Sequence, residues 1–161
     1  MENYLTFTVD ETTYAINVNS VLEVLNMTKP TAVPCALSYI EGLIYSRGQG
    51  ITVVNLRRRF ELDEHEVDKK TKIIVVEVHT RRLNPDGSEI ENIILYGLVA
   101  DSVQDVIQIY EEERIDDAEC SIPKEFISYT LKHDGKPLFI LDFKKMFEEH
   151  AKLSSSTIQN L

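Results

Sequence analysis

Short segments in which apolar and polar residues alternate recur along this chain, and residues that favour turns separate them. Residues 4–9 (YLTFTV) and 14–18 (YAINV) both show this two-residue period, which is typical of half-buried β-strands. The segment between them, residues 10–13, is short and polar. We therefore predict a β-hairpin at the start of the chain.

Further strand patterns follow along the rest of the sequence. Alternation or runs of β-branched residues predict strands at residues 51–56, 72–79, 93–99 and 103–109. Pro85 and Gly87 predict a turn at residues 84–88, because proline presets φ and glycine accepts a positive φ. Residues 21–25, which follow Ser20, fit either a strand or one helical turn, and the pattern leaves both open.

Helical patterns are short. The basic run 57–59 with Phe60 predicts a brief helix directly after a strand. Residues 144–153 predict a C-terminal helix as the last ordered element. The segment 151–161 contains three consecutive serines and little apolar surface to bury, so we expect a flexible tail there. Many short strands with few helices predict a mainly β fold.

The chain also resembles itself. Residues 51–61 align with residues 138–148 at an offset of 87, and Gly48 then aligns with Gly135. Residues 20–25 align with residues 102–107 at an offset of 82. The matched segments keep the same order, which predicts a structural repeat. We expect one domain over residues 1–150, made of two pseudo-repeated β-barrel subdomains that pack on each other, with strands near 14–80 and 93–143 forming most of them.

Composition and charge narrow the function. The chain has 161 residues and a formal net charge of −10, whereas phosphate binding needs a concentrated positive surface, so we expect no nucleic-acid partner. The sequence holds no apolar run of about 20 residues, so we expect no direct insertion into a membrane. Cys35 and Cys120 lie far apart, which favours a reduced, cytoplasmic protein.

Residues that could support catalysis or bind a metal are scattered. The four histidines show no metal-ligand spacing, so no metal or cofactor is predicted. Asp101 and Asp105 could form a carboxylate pair for acid–base chemistry, but no partner nucleophile is implied. The glycine-containing segment 46–50 precedes a strand and is not a phosphate-binding loop. We therefore predict that the chain is not an enzyme.

These segments resemble the signature of CheW-like domains. Residues 39–60 follow its Ile-x-Gly, Asn-Leu-Arg-Gly and Pro-Val-Asp-Leu order, and residues 14–24 its Tyr-x-Ile and Val-x-Glu-Val pattern. Residues 97–103 and 138–146 are similar to its two later segments. The chain departs from the family at Tyr45, Ser46, Thr52 and Asn55, where the usual residues are Asn, Leu, Pro and Asp. The resemblance covers residues 4–148 in order.

The resemblance implies two tandem SH3-like, five-stranded β-barrels packed together, with short helices and a C-terminal helix. It implies a non-enzymatic adaptor that joins the regulatory domain of the histidine kinase CheA to the cytoplasmic tips of methyl-accepting chemoreceptors. The adaptor would be cytoplasmic and peripheral to the inner membrane through receptor arrays. The partner-binding residues would be Val21, Glu23, Tyr45, Arg47 and Gly48. A CheW-like paralogue that serves a non-chemotaxis signalling pathway is the alternative.

Overall fold

A computed structural model of the protein describes residues 1–35, 37–110, 113–116 and 118–159, with side chains described as far as Leu153. The described residues form eleven strands: β1 (Glu2–Val9), β2 (Thr12–Asn17), β3 (Val21–Asn26), β4 (Ile40–Ser46), β5 (Gln49–Asn55), β6 (Lys72–Leu83), β7 (Glu89–Ala100), β8 (Ser102–Ile109), β9 (Arg114–Ile115), β10 (Ile127–His133) and β11 (Lys136–Leu141). The helices are α1 (Leu56–Arg59), α2 (Phe143–Met146) and α3 (Glu148–Gln159). The 3-10 turns include Val18–Ser20 and Lys124–Phe126.

The strands form two sheets, and the prediction of a mainly β fold is confirmed. Sheet 1 has the order β8-β1-β2-β11-β10-β9, and sheet 2 has the order β3-β6-β7-β5-β4. The pairs β2–β11 and β5–β7 are parallel, and the other pairs are antiparallel. Sheet 2 has the expected five strands, while the short β9 adds a sixth to sheet 1 by pairing with β10.

The strands of the two sheets correspond to each other at the offsets found in the sequence. The parallel pair Tyr14–Phe139 of sheet 1 matches the parallel pair Tyr96–Thr52 of sheet 2, with offsets of 82 and 87. The β4–β5 turn at Arg47 and the β10–β11 turn at Asp134 repeat the same positive φ, 53° and 51°. Strands β3, β4, β5, β6 and β7 therefore correspond to β8, β10, β11, β1 and β2.

The sheets do not follow the boundary suggested by strands near residues 14–80 and 93–143. Strand β2 of the first repeat joins β11 of the second in sheet 1, while β7 of the second repeat joins β5 of the first in sheet 2. If the repeats are taken as β1–β5 and β6–β11, they exchange their first hairpins, β1–β2 and β6–β7. Sequence offsets identify equivalent strands, and alternation tells which face of a strand is buried. Neither signal tells which strand a given strand pairs with, so the exchange could not be predicted from the sequence.

The main core lies between the two sheets. It is formed by buried residues of both, with aromatic rings from sheet 1 packed against aliphatic residues from sheet 2; its members include Phe7, Tyr14, Phe139, Val54, Ile74 and Leu98. Smaller clusters fill the opposite faces, with Leu138 and Ile140 in sheet 1 and Ile51 and Val75 in sheet 2. The expected packing of the two units on each other is therefore extensive and apolar.

Two local predictions are settled by capping and backbone continuity. Residues 21–25 form a strand, because the Asn17 side chain caps the 3-10 turn before them and lets the chain extend from Val21. Helix α1 follows β5 as expected, and α2 ends at Met146 before α3 begins at Glu148. Helix α3 is described from Glu148 to Gln159. That the segment 151–161 is a flexible tail stays a prediction. No described helix is long and apolar enough to cross a membrane.

Candidate functional site

The turn between β4 and β5 presents Arg47 to solvent. Arg47 and Gly48 have φ of 53° and 77°, the pattern of a type I′ turn, which matches the twist of the flanking strands. A Cβ at Gly48 would meet no atom within 4 Å, so the glycine serves the backbone conformation and leaves open space beside Arg47. The Arg47 side chain is 84% exposed.

A bulge in β3 positions Glu23 toward this turn. Val21 pairs with Val76, and Glu23 pairs with the next residue along, Val75, so Leu22 is the extra residue of the bulge. Val21 consequently packs, half-buried, against the main core, and Glu23 lies on the other face of the sheet. Val21 therefore differs from the other predicted partner-binding residues, because its side chain contacts the main core and lies on the opposite face of the sheet from Glu23.

The Arg47–Glu23 pair bridges the two edge strands of sheet 2. The Arg47 Nε and Glu23 Oε2 atoms are 3.8 Å apart, although β3 and β4 stand at opposite ends of the strand order. Glu23 is 19% exposed and Arg47 is largely in water, so the pair contributes only about 0–1 kcal/mol. Its consequence is geometric, because Glu23 attracts the Arg47 guanidinium to this side of the turn while the planar group keeps donors available to a partner.

A backbone bridge closes the same gap further along β4. Thr31 and Leu43 exchange two hydrogen bonds, with N···O distances of 2.9 and 2.8 Å. Gly42 makes this approach possible: its φ is +147°, and a Cβ there would lie 2.1 Å from the Thr31 carbonyl oxygen. The Ile-x-Gly segment of the sequence thus supplies the one residue that lets the chain cross β4 at this distance.

Exposed apolar side chains occur on the two strands that the Arg47–Glu23 pair bridges. Tyr45 is 73% exposed and pairs with Gly50 across the hairpin. Leu22 and Val24 project from the edge strand β3 with about half of their surface exposed. The structure therefore brings Glu23, Tyr45, Arg47 and Gly48 together on one side of sheet 2, where charged and aromatic side chains are both exposed.

A second charged cluster, not predicted from the sequence, joins the two sheets. Arg57 Nη2 and Nε donate to the two oxygens of Asp101 at 2.7 and 3.2 Å, and Arg57 also contacts Asp10 at 3.4 Å. The Asp10 N–H donates to Asp101 at 2.8 Å. Partial burial raises the pKa of Asp101, but the bonds from Arg57 and Asp10 outweigh it and hold that pKa below its usual range.

This cluster explains what Arg57 and Asp101 do. Asp10 belongs to the β1–β2 turn of sheet 1, whereas Arg57 follows β5 of sheet 2, so the cluster fixes one sheet against the other. An ionised Asp101 whose oxygens both accept from Arg57 is a positioning group rather than a proton donor. No spacing in the sequence relates residues 57 and 101, and only the fold brings them together.

Two of the departures from the family pattern are accommodated locally. Asn55 caps α1 by accepting from the Arg58 N–H at 3.1 Å, and its amide donates to Glu41 at 2.8 Å. Asp142 caps α2 in the equivalent way through Lys145. Asn and Asp are nearly equivalent caps. Thr52 lies within β5 and pairs with Leu43, where a proline could not donate to the ladder.

Comparisons with known proteins agree with these features. Residues 3–151 match the model of the CheW-like domain. The chain is 30% identical over 157 residues to the chemotaxis protein CheW of Bacillus subtilis (strain 168), covering 96% of this chain and 92% of that protein. It is 29% identical over 149 residues to CheW of Thermotoga maritima, covering 90% and 87%.

A solved structure shares the fold. The crystal structure of the scaffolding protein TtCheW from Thermoanaerobacter tengcongensis superposes with a TM-score of 0.74 at 27% identity, covering 91% of this chain and 87% of that one. The family match, which spans nearly all of both sheets, and the shared fold lead to one conclusion. The chain belongs to the CheW-like domain family.

Proposed function

We propose that the chain is a non-enzymatic adaptor that couples chemoreceptors to the histidine kinase CheA in chemotaxis signalling arrays. The observation that carries the proposal is the Arg47–Glu23 pair, which places an exposed guanidinium next to the exposed Tyr45 where the two edge strands of sheet 2 meet. Membership of a family whose relatives are named chemotaxis proteins, one of them a scaffolding protein, supports the same role.

The partners follow from the shape and chemistry of this surface. Exposed apolar side chains on an edge strand suit an amphipathic helix of a receptor tip, and the unpaired edges of the sheets suit the regulatory domain of the kinase. Such contacts are weak singly and gain strength when receptor, kinase and adaptor repeat in an array. The chain would then work at the cytoplasmic side of the inner membrane through its partners.

Co-sedimentation with receptor-containing vesicles and kinase tests the proposal. Arg47→Ala and Glu23→Ala should reduce the adaptor in the pellet, because each removes one partner of the pair. Asp134→Ala is the matched control, since Asp134 occupies the equivalent turn position in sheet 1 with nearly the same φ. All three variants should retain the circular dichroism spectrum of the parent. Normal assembly of Arg47→Ala and Glu23→Ala would overturn the assignment of the site.

A CheW-like paralogue that serves another signalling pathway is the second candidate. The departures at Tyr45 and Ser46 lie directly beside Arg47 and favour it, because they change the chemistry that a partner meets. Pull-down from the native cell separates the two candidates: chemoreceptors and CheA in the bound fraction support the chemotaxis adaptor, and a different kinase without chemoreceptors supports the paralogue.

A further inference from the structure

Strands β6 and β7 form a hairpin that is far longer than its counterpart in the other sheet. Phe7 and Tyr14 are paired across the β1–β2 hairpin and lie 7 residues apart, whereas the equivalent pair, Val76 and Tyr96, lies 20 residues apart. The hairpin of sheet 2 therefore carries 13 additional residues. We name the segment 79–93, which lies beyond the Val78–Ile94 pair, the arm.

The arm is an ordered ladder with two different faces. Its register continues without a break to the pair Leu83–Glu89 at the tip. The outer face carries ion pairs, in which His79 contacts Glu77 and Glu91, and Arg81 contacts Glu89 at 3.2 Å. The His79–Glu91 and Arg81–Glu89 contacts join the two strands and support the ladder away from the core.

The inner face of the arm looks toward the C-terminal helices. Arg82 and Ile90 pair directly, so they share a face with Val78 and Ile94, which pack on the main core. Helix α3 is anchored beside the base of the arm, because Phe147, directly before it, packs against Tyr96 at 4.4 Å between ring centroids, and His150 of α3 forms a hydrogen bond with the Tyr96 hydroxyl at 2.7 Å. The arm, α2 and α3 together border a groove of about 1060 Å³.

The acidic side chains along this groove have basic partners, but two of its basic side chains have no partner among the described residues. Residues of both faces of the arm border the groove, and each acidic residue that lines it contacts a basic side chain. The contacts are Glu89 with Arg81, Glu91 with His79 and Glu148 with Lys152. Arg82 on one wall and Lys144 on the other have no hydrogen-bond or ion-pair partner within the part of the chain that the structure describes. Four Lys and Arg side chains line the groove against three Glu, so a chain with a net charge of −10 presents a locally basic surface here.

Apolar surface lies between these cations. Ile90 is 41% exposed, and Ala151 of α3 lines the opposite wall. An occupant that complements this arrangement has an apolar stripe and carboxylates on both flanks. We propose that the groove between the arm and α3 binds an acidic, amphipathic helical segment of a partner protein, at a surface separate from the Arg47 turn.

A synthetic peptide tests the proposal on the full chain. The probe is a fluorescein-labelled helical peptide of about 15 residues, roughly 22 Å long, with leucines on one face and glutamates on the flanks. Its fluorescence anisotropy is titrated with protein, and a second peptide carries lysine in place of each glutamate. The acidic peptide should bind and the basic one should not, and binding should weaken as salt is raised from about 0.05 to about 0.5 M.

Variants locate the binding. Arg82→Glu combined with Lys144→Glu should weaken the acidic peptide at least about tenfold, because both complementary charges are reversed. Lys144→Glu alone is compared with Lys145→Glu as its matched control: both make the same single charge reversal on the same helix, but Lys145 does not line the groove. The control should bind like the parent. Equal loss in the control, or no loss in the double variant, would overturn the proposal.

An arm-shortened variant provides a second, independent test. Replacing residues 79–93 by an Asp-Gly turn joins Val78 to Ile94 as the two-residue Asp10–Glu11 turn joins Val9 to Thr12. The variant should keep the far-ultraviolet circular dichroism of a folded β protein and lose the acidic peptide. If sedimentation velocity shows a parent dimer that the arm-shortened variant lacks, the occupant is a second copy and the proposal is wrong.

Discussion

Replacing Gly42 by alanine tests why sheet 2 closes as it does. The added Cβ would lie 2.1 Å from the Thr31 carbonyl oxygen and 2.7 Å from its carbon, which is backbone that no side-chain rotation can move aside. The bridge of two hydrogen bonds between Thr31 and Leu43 must then open. The chain would also hold a non-glycine residue at a φ of +147°, a region that L-residues rarely adopt.

The size of the effect follows from these two losses. Two neutral hydrogen bonds contribute about 1 kcal/mol each, and the backbone strain costs about 1–3 kcal/mol. We expect Gly42→Ala to lower the free energy of unfolding by about 3–5 kcal/mol. For a chain of this length that corresponds to a fall in Tm of roughly 10 °C.

Gly135→Ala is the control. Gly135 also has a positive φ, +77°, but a Cβ there would meet no atom within 4 Å. It should cost only about 1–2 kcal/mol of backbone strain, since no contact is broken. Urea unfolding followed by circular dichroism measures both variants, with the slope m expected to stay unchanged. A Gly42→Ala variant within about 1 kcal/mol of Gly135→Ala would refute the steric explanation.

Three further predictions concern the acid response and the exchanged hairpins. The pKa of Asp101 is held below its usual value of about 3.9, so its bonds stabilise the fold above that pH and are lost as pH falls through the lower folded pKa. Asp101→Asn should therefore flatten the acid part of the curve of unfolding free energy against pH. An unchanged curve would contradict this prediction. Burial lowers the pKa of His150, which forms a hydrogen bond with the Tyr96 hydroxyl at 2.7 Å. The stability that the neutral ring contributes is present above a pH of about 6.5 and should be lost as pH falls through the lower folded pKa. A His150 ring that titrates above about 6.5 by NMR would disprove this prediction. Each sheet contains strands from both repeats, so a chain cleaved within residues 84–88 should elute as one particle under native conditions; separate fragments would argue against the exchange.

The local elements of the fold were predictable because their signals are local. Alternation at residues 4–9 and 14–18 predicted β1 and β2, and the β-branched run at 51–56 predicted β5. The repeat at an offset of 87 anticipated even the paired turns at Arg47 and Asp134. What the pattern cannot contain is the choice of partner strand, so the exchange of β2 and β7 between sheets appears only in the structure.

Some residues of the candidate site could be identified from the sequence, and others could not. Glu23 and Arg47 could be named from a family resemblance, and their proximity follows from the bulge at Leu22 and the type I′ turn. The Arg57–Asp101 cluster could not be named, because its members are 44 residues apart and carry no shared motif. The arm was visible only as a turn at residues 84–88, since its length has meaning only against the shorter β1–β2 hairpin.

The central claim is that this chain joins two partners without chemistry of its own. Reconstituting receptor-containing vesicles with CheA and measuring ATP-dependent kinase autophosphorylation tests it most directly. Adding the chain should raise kinase activity and make it respond to the receptor ligand, and Arg47→Ala should fail to do so while Asp134→Ala succeeds. Receptor control of the kinase that is the same with and without the chain would contradict the account.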